Sequence, residues 1–265
     1  MAERTPPDGW ITAKSTKRKL GNISDGKLRS LTGEGPGKIE RMQPPDSTYG
    51  FYKASDVHRI QHEWNQKALE ANEPTLPGAH FQVATKEDMP EIVDLLIKIF
   101  GGGDTSARRN SWLDRNPESC FVVRSHGKVR GCIFVLSFTE EKIHQLHGKD
   151  NYATHDIEAN DILPFEAGKP ANLFLLSMAS DDIGVGKENR RKWGSFIIRG
   201  LYAHIQDLGR RGIPVNLVAS RSSLPDGIRI MRKMGFFEIE PCGDRKNFII
   251  DVKMSGLDFA MKHKA

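Results

Sequence analysis

The stretch VNLVASRSSLPDGIRIMRKMGFFEI, residues 215–239, decides how the rest of the chain is read. VNLVAS is a continuous apolar run of strand length, the pattern of a strand buried on both faces. DGIRIMRKMGFFEI reads as a helix that stops at Gly235, the residue type a helix end in the left-handed region favours, with a strand beyond it. Strand, helix and strand in such close order predict an α/β unit. Immediately upstream, GSFIIRGLYAHIQDLG (194–209) places Phe196, Ile197, Leu201, Ile205 and Leu208 at helical spacing. Before it, ANLFLLSMAS (171–180) is a second buried strand, and Ser180 to Trp193 reads as the loop between them.

The same grammar extends in both directions. CFVVRSHGKVRGCIFVLSF (120–138) is two strand runs around a Ser-His-Gly-Lys turn, a hairpin. HFQVAT (80–85) is a short strand, and Thr85 can cap a helix that carries Met89, Ile92, Val93, Leu96 and Phe100 on one face. The run Gly101 to Gly103 stops that helix. NFIIDVKM (247–254) is the last strand. From residue 80 the predicted order is strand, helix, a second helix, three strands, helix, strand, helix and two strands. The fold class is α/β (α+β): a mixed sheet flanked by helices.

This order resembles the GNAT superfamily of N-acyltransferases over residues 80 to 253. FQVATKEDMPEIVDLLIKIF looks like the family's first strand–helix unit. Residues 215–239 are similar to its strand, helix and closing K-x-G-F, here Lys233, Gly235 and Phe236. GSFIIRGL looks like the start of the helix that follows the family's R/Q-x-x-G-x-G/A loop. The resemblance implies an acyl-CoA, acetyl-CoA first, as co-substrate, with Met178 and Ala179 on the central strand and Asn189, Arg190, Arg191, Lys192, Trp193, Gly194 and Ser195 around its pyrophosphate. A helix N-terminus opened by Gly194 and Ser195 would supply converging N–H donors and a favourable dipole, and the basic run before it would add charge. Two registers fit the loop. One ends at Gly194; the other uses Asp181, Gly184 and Gly186, where an Asp would repel phosphate. The Gly194 register is preferred.

Catalysis is less clearly written. Acyl transfer to an amine needs a route for the amine proton and an acid for the leaving thiolate. The positions that correspond to the family's usual base and acid look like Leu176 and Met231, which can do neither. Ser177, Ser222, Ser223, Tyr202 and His204 are the remaining candidates, and positioning of the reactants can itself supply much of a rate. Residues 139–170 form a long acidic insertion with His144, His147, His155, Asp156, Glu158 and Asp161. Their spacing matches no standard metal motif, so a solvated insertion that attracts an amine acceptor is expected, with no metal.

The first seventy residues have a different character. Thr12 can cap a helix through Leu20, Gly21 and Asn22 break it, and Ser24 can cap a second helix with Leu28 and Leu31 inward. KIERMQ and FYK flank PPDSTYG as two strands around a wing-like loop. The tract resembles the winged helix-turn-helix domains of the MerR and excisionase kind over residues 10 to 64, with Tyr52, Ser55, Asp56 and Val57 at a matching step. Trp10 to Ile60 holds ten Lys or Arg against five Asp or Glu, which equals the whole chain's net charge of +5. A DNA partner is expected through residues 10–60. Lys27, Arg29 and Ser30 would face the major groove, with Lys17, Arg18, Lys19, Arg41 and Lys53 for phosphates. The alternative is a basic appendage that packs on the enzyme or binds a protein.

Residues 1–70, 71–79 and 80–265 are therefore read as DNA-binding domain, linker and acyltransferase domain, with the Pro- and Gly-bearing NEPTLPGA in the linker. No apolar run is long enough to span a membrane and no secretory h-region opens the chain, so a cytoplasmic address is expected. Cys120, Cys132 and Cys242 lack metal-ligand spacing and are expected to be buried thiols. Two functions compete: an N-acyltransferase directed to DNA, and a transcriptional regulator whose GNAT-like domain senses acyl-CoA or mediates homodimerisation.

Overall fold

The computed structural model describes residues 5–20, 23–35, 37–45, 50–71, 78–102, 105–148, 156–181, 186–253, 255 and 263. Its first elements are β1 (Trp10–Thr12), α1 (Ala13–Lys19), α2 (Asp25–Leu31), β2 (Arg41–Met42), β3 (Phe51–Lys53) and α3 (Ala54–Ala71). Thr12 and Ser24 cap α1 and α2, their hydroxyls accepting from Ser15 N and Lys27 N at 3.2 Å each. The three strands form an antiparallel sheet in the order β1-β3-β2. Leu20, Leu28, Ile39, Tyr52, Val57 and Ile60 close a small core of their own. Most of the loop expected between β2 and β3 lies outside the described residues, as do Gly21 and Asn22.

The second group is β4 (Ala79–Val83), α4 (Met89–Phe100), α5 (Ser106–Arg115), β5 (Cys120–Ser125), β6 (Lys128–Phe138), α6 (Glu140–Gly148), β7 (Ala171–Ser180), α7 (Gly186–Arg210), β8 (Val215–Ser222), α8 (Pro225–Lys233), β9 (Phe237–Cys242) and β10 (Arg245–Asp251). Seven strands pair in the order β4-β5-β6-β7-β8-β10-β9, antiparallel throughout except for β7 and β8. That one parallel pair requires a crossover, and α7 provides it. Alternate residues of each strand feed two apolar layers. Ile133, Leu173 and Leu175 meet α7 and α8 on one face, and Phe134, Leu136 and Phe174 meet α4, α5 and α6 on the other.

Two expectations need correction here. The insertion 139–170 is not simply solvated: α6 buries Ile143, Leu146 and His147 against the second face of the sheet. Their spacing of three and four is that of an amphipathic helix, obscured by the acidic residues around it. Cys120 and Cys132 are buried, but Cys242 is only half-buried.

The long helix lies close to the sheet because glycines permit it. A Cβ at Gly200 of α7 would overlap the Phe81 ring of β4. A Cβ at Gly131 of β6 would stand 2.7 Å from Ile197 Cδ1 and 3.0 Å from Ala179 O. Among the described residues no helix is long and apolar enough to cross a membrane.

The two groups touch where the His58 ring of α3 lies 4.6 Å from that of Phe237 in β9. Burial holds His58 down at about pKa 4, and Lys19, 3.4 Å away, reinforces this. Burial likewise takes His204 of α7 down to about 4. Glu118 lies 3.7 Å from that imidazole, but it is bound at 2.7 and 2.8 Å by Arg211, so desolvation prevails and the ring is neutral. Both folded-state values lie below the ordinary 6.5, so the unfolded chain takes up protons first. Stability is therefore full above about pH 6.5 and is lost as pH falls towards 4, by roughly 2–4 kcal/mol for His204. His204→Phe keeps a ring against Phe121, now 4.5 Å away, and should flatten that acid limb in urea unfolding at pH 7 and pH 5.

Candidate functional site

The chemistry of the sheet is concentrated at the seam between β7 and β8. Parallel pairing runs from Ala171↔Val215 to Leu175↔Ser220 and goes no further, although β7 continues to Ser180 and β8 to Ser222. At the point of separation, Ser177 has φ 52, in the left-handed region that a non-glycine residue seldom enters. The register with β6 shifts between Cys132 and Phe134, so a bulge bends β7 away from β8. Pairing with β8 does not reach the β7 backbone beyond Leu175.

A cavity of about 530 Å³ occupies the opening. Leu175, Ile133, Ile197 and Leu201 form its apolar floor, Met231 of α8 and Met234 at the end of that helix add to the apolar lining, and Phe100 and Leu224 stand at 45% and 46% exposure on its rim. Its polar lining includes Ser177, Ser180, Ser220, Ser222 and Ser223 with Arg221, Arg229 and Arg245. Asp226 is the one carboxylate among the described lining residues, and Arg229 pairs with it at 3.0 Å. The α8 wall comes close to β8 because residue 227 is glycine: a Cβ there would overlap Ser222 Oγ. Ser222 Oγ in turn accepts from Leu224 N at 3.1 Å, at the start of α8.

The expected residues divide. Met178, Ala179, Ser177, Ser223 and Met231 line the cavity. Leu176 does not; it packs in the other apolar layer. Tyr202 is buried in the core against the sheet, which raises its phenol well above the usual range, so it is a poor acid for the cleft. His204 packs with tilted rings against Phe121 and Phe165, also away from the cavity lining. His147 is buried and bonded to Ser220 O at 3.2 Å, while Asp161 pairs with Lys142 at 2.8 Å. Among the described residues no three His, Cys, Asp or Glu side chains converge as a metal site, and His155 lies outside them.

The helix start is corrected. α7 begins at Gly186, so Asn189, Arg190, Arg191 and Lys192 belong to its first turns and Gly194 is interior. Glu, Lys and Arg are good helix formers, and Trp193 is buried one turn before Ile197, which anchors the extension. The register through Asp181 and Gly186 therefore fits the helix start, and Gly184 lies outside the described residues. Asp181 is no obstacle, because Arg130 at 2.9 Å and Lys98 at 3.5 Å neutralise it. Gly194 has ordinary helical geometry with open space where a Cβ would stand. Gly194→Ala should raise stability by up to ~1 kcal/mol and leave any ligand affinity unchanged, as thermal unfolding and titration would show.

Arg109 was not anticipated. It is 1% exposed, lies 4.3 Å over the Trp112 ring and 4.1 Å from that of Phe134, and donates to Ser177 Oγ at 3.3 Å. The signal was present in SARRNSWLDR, where Arg109 shares a helix face with Trp112 and Leu113.

In the first seventy residues, α2 buries Leu28 and exposes Lys27, Arg29 and Ser30. Lys27 Nζ lies 5.6 Å over the Trp64 ring, and Ser30 Oγ donates to Lys27 O at 2.8 Å. Lys17 pairs with Asp25 at 2.8 Å and Lys53 with Glu40 at 2.7 Å. Arg18 and Arg41 are exposed, and the Arg41 side chain covers Gly50.

No protein-family model matches the chain, and no curated protein matches it. Solved structures to which the chain shows similarity include Ard1 from Thermoplasma volcanium, at 13% identity over 66% of this chain and 97% of that one, with a TM-score of 0.43. An N-acetyltransferase from Staphylococcus aureus Mu50 is 15% identical over 65% of this chain and 98% of its own, with a TM-score of 0.43. The loading GNATL domain of CurA from Lyngbya majuscula is 10% identical over 66% and 98%, with a TM-score of 0.49.

Proposed function

We propose that the cleft between β7 and β8 binds an acyl-CoA, acetyl-CoA first, and that the chain is a GNAT-type N-acyltransferase acting on an amine. The observation that carries this reading is the seam itself. A pantetheine arm is an extended chain of amides, and strand backbone without a neighbouring strand offers it the same hydrogen bonds a strand would. The apolar floor suits the acyl end, and Arg221, Arg229 and Arg245 give the lining a positive charge suited to phosphates. α7 follows β7 closely, and the first-turn N–H groups from Gly186 onward are a natural pyrophosphate site. The order of elements, with α6 added, is the one the sequence resemblance implies. Incubation with acetyl-CoA and a panel of amines and peptides tests it: thiol release that depends on the amine supports transfer, and binding without release rejects it.

Three observations favour a second reading, that of an acyl-CoA sensor. Leu176 faces away from the cavity, Met231 has no ionisable proton to give, and Asp226 is engaged by Arg229. A cleft lined this way binds more readily than it moves protons.

In either case residues 10–60 are proposed to bind duplex DNA, with α2 in the major groove through Lys27, Arg29 and Ser30, and Arg18 and Arg41 on phosphates. The support is the outward face of α2 and the concentration of positive charge. Fluorescence anisotropy should show salt-dependent binding, weakened at least about ten-fold by Lys27→Ala with Arg29→Ala. Undiminished binding by that variant would reject α2 as the recognition helix.

A further inference from the structure

Arg109 is a cation placed where cations are costly. Its guanidinium lies against two aromatic rings, Trp112 and Phe134, which meet each other edge-on in the apolar layer beneath β7, at a depth from which a long flexible side chain would ordinarily extend to water. Among its contacts is a hydrogen bond of 3.3 Å donated to Ser177 Oγ. Ser177 is the residue with φ 52, it lines the cavity, and it stands just past the last pair that joins β7 to β8. Left-handed backbone disfavours any residue with a Cβ, so something must hold this one.

We infer that Arg109 is a positioning residue that locks the Ser177 bulge through its hydroxyl and so keeps the seam between β7 and β8 open. The bond fixes the side chain from the far face of the sheet, so the backbone on the cavity side keeps its bent path. The two rings, set edge-to-face, hold the guanidinium in turn through the attraction of a cation for an aromatic ring. This inference rests on the acyl-CoA reading of the cleft.

The experiment compares Ser177→Ala, Ser177→Gly and Arg109→Met by calorimetric titration with acetyl-CoA and with 3′,5′-ADP, which reports the nucleotide end alone. Alanine loses the hydroxyl but keeps the Cβ, so acetyl-CoA affinity should fall about ten-fold. Glycine holds a positive φ unaided and should bind nearly as the wild type does. Arg109→Met should behave like Ser177→Ala, and adding Ser177→Gly to it should restore affinity. Affinity for 3′,5′-ADP should stay within about two-fold throughout, which general loosening of the fold would not allow. Equal affinities for the Ala and Gly variants would overturn the inference, as would 3′,5′-ADP affinity falling in step. If Arg109→Met fails to fold, the Ser177 pair decides alone. A wild-type chain that binds no acetyl-CoA would overturn the cleft reading itself, an outcome distinct from the other two.

Discussion

Phe134→Ala is expected to cost about 3–5 kcal/mol of stability, roughly 10 °C in Tm. Phe134 is fully buried at the centre of β6, between Cys120 of β5 and Leu176 of β7. Its ring meets Trp112 edge-on at 5.7 Å and lies 4.1 Å from the Arg109 guanidinium. Removal therefore leaves a cavity in the layer beneath the cleft and takes away one of two aromatic faces from a buried cation. Phe134→Leu refills most of the volume without the cation–aromatic attraction and should cost about 1–2 kcal/mol. Urea unfolding of the two variants measures the difference. A loss below about 1 kcal/mol for the alanine variant would show that the layer around Arg109 can collapse onto itself, contrary to the packing described.

The second large effect concerns binding. Ser223 is exposed between the end of β8 and the start of α8, on the lining of the cleft. An indole at this position reaches across the opening without entering the core, so Ser223→Trp should weaken acetyl-CoA binding at least about 100-fold while changing stability by less than about 1 kcal/mol. Ser223→Ala should bind as the wild type does. If the alanine variant loses turnover but not affinity, the hydroxyl takes part in the chemistry. If the tryptophan variant binds normally, the ligand enters elsewhere.

The legible parts of the fold were those in which periodicity and packing agree. Residues 215–239 produced β8, α8 and the start of β9 as read, because the apolar run and the Gly235 stop are local signals. The misread parts have physical causes. The basic run before Gly194 looked like a loop because charge suggested a ligand, yet Lys, Glu and Arg favour helix and Trp193 supplied the anchor. The bulge at Ser177 left almost no trace in ANLFLLSMAS, where a Ser between Leu176 and Met178 was the only hint. A bulge also shifts the two-residue alternation, so the faces of Leu176 and Ser177 could not be assigned by counting along the strand. Arg109 was hidden for a different reason: an Arg is read as surface until its helix neighbours at three and four positions are noticed. The cleft therefore emerged from strand geometry, whereas the outward face of α2 was already evident in the charge pattern.

Calorimetric titration of acetyl-CoA into the wild-type chain, paired with a thermal melt, is the most direct test of the cleft. The proposed site predicts saturable one-site binding and a rise in Tm, about 2.7 kcal/mol of stabilisation at a ligand concentration 100 times Kd. Absence of both heat and Tm shift at millimolar acetyl-CoA would contradict it.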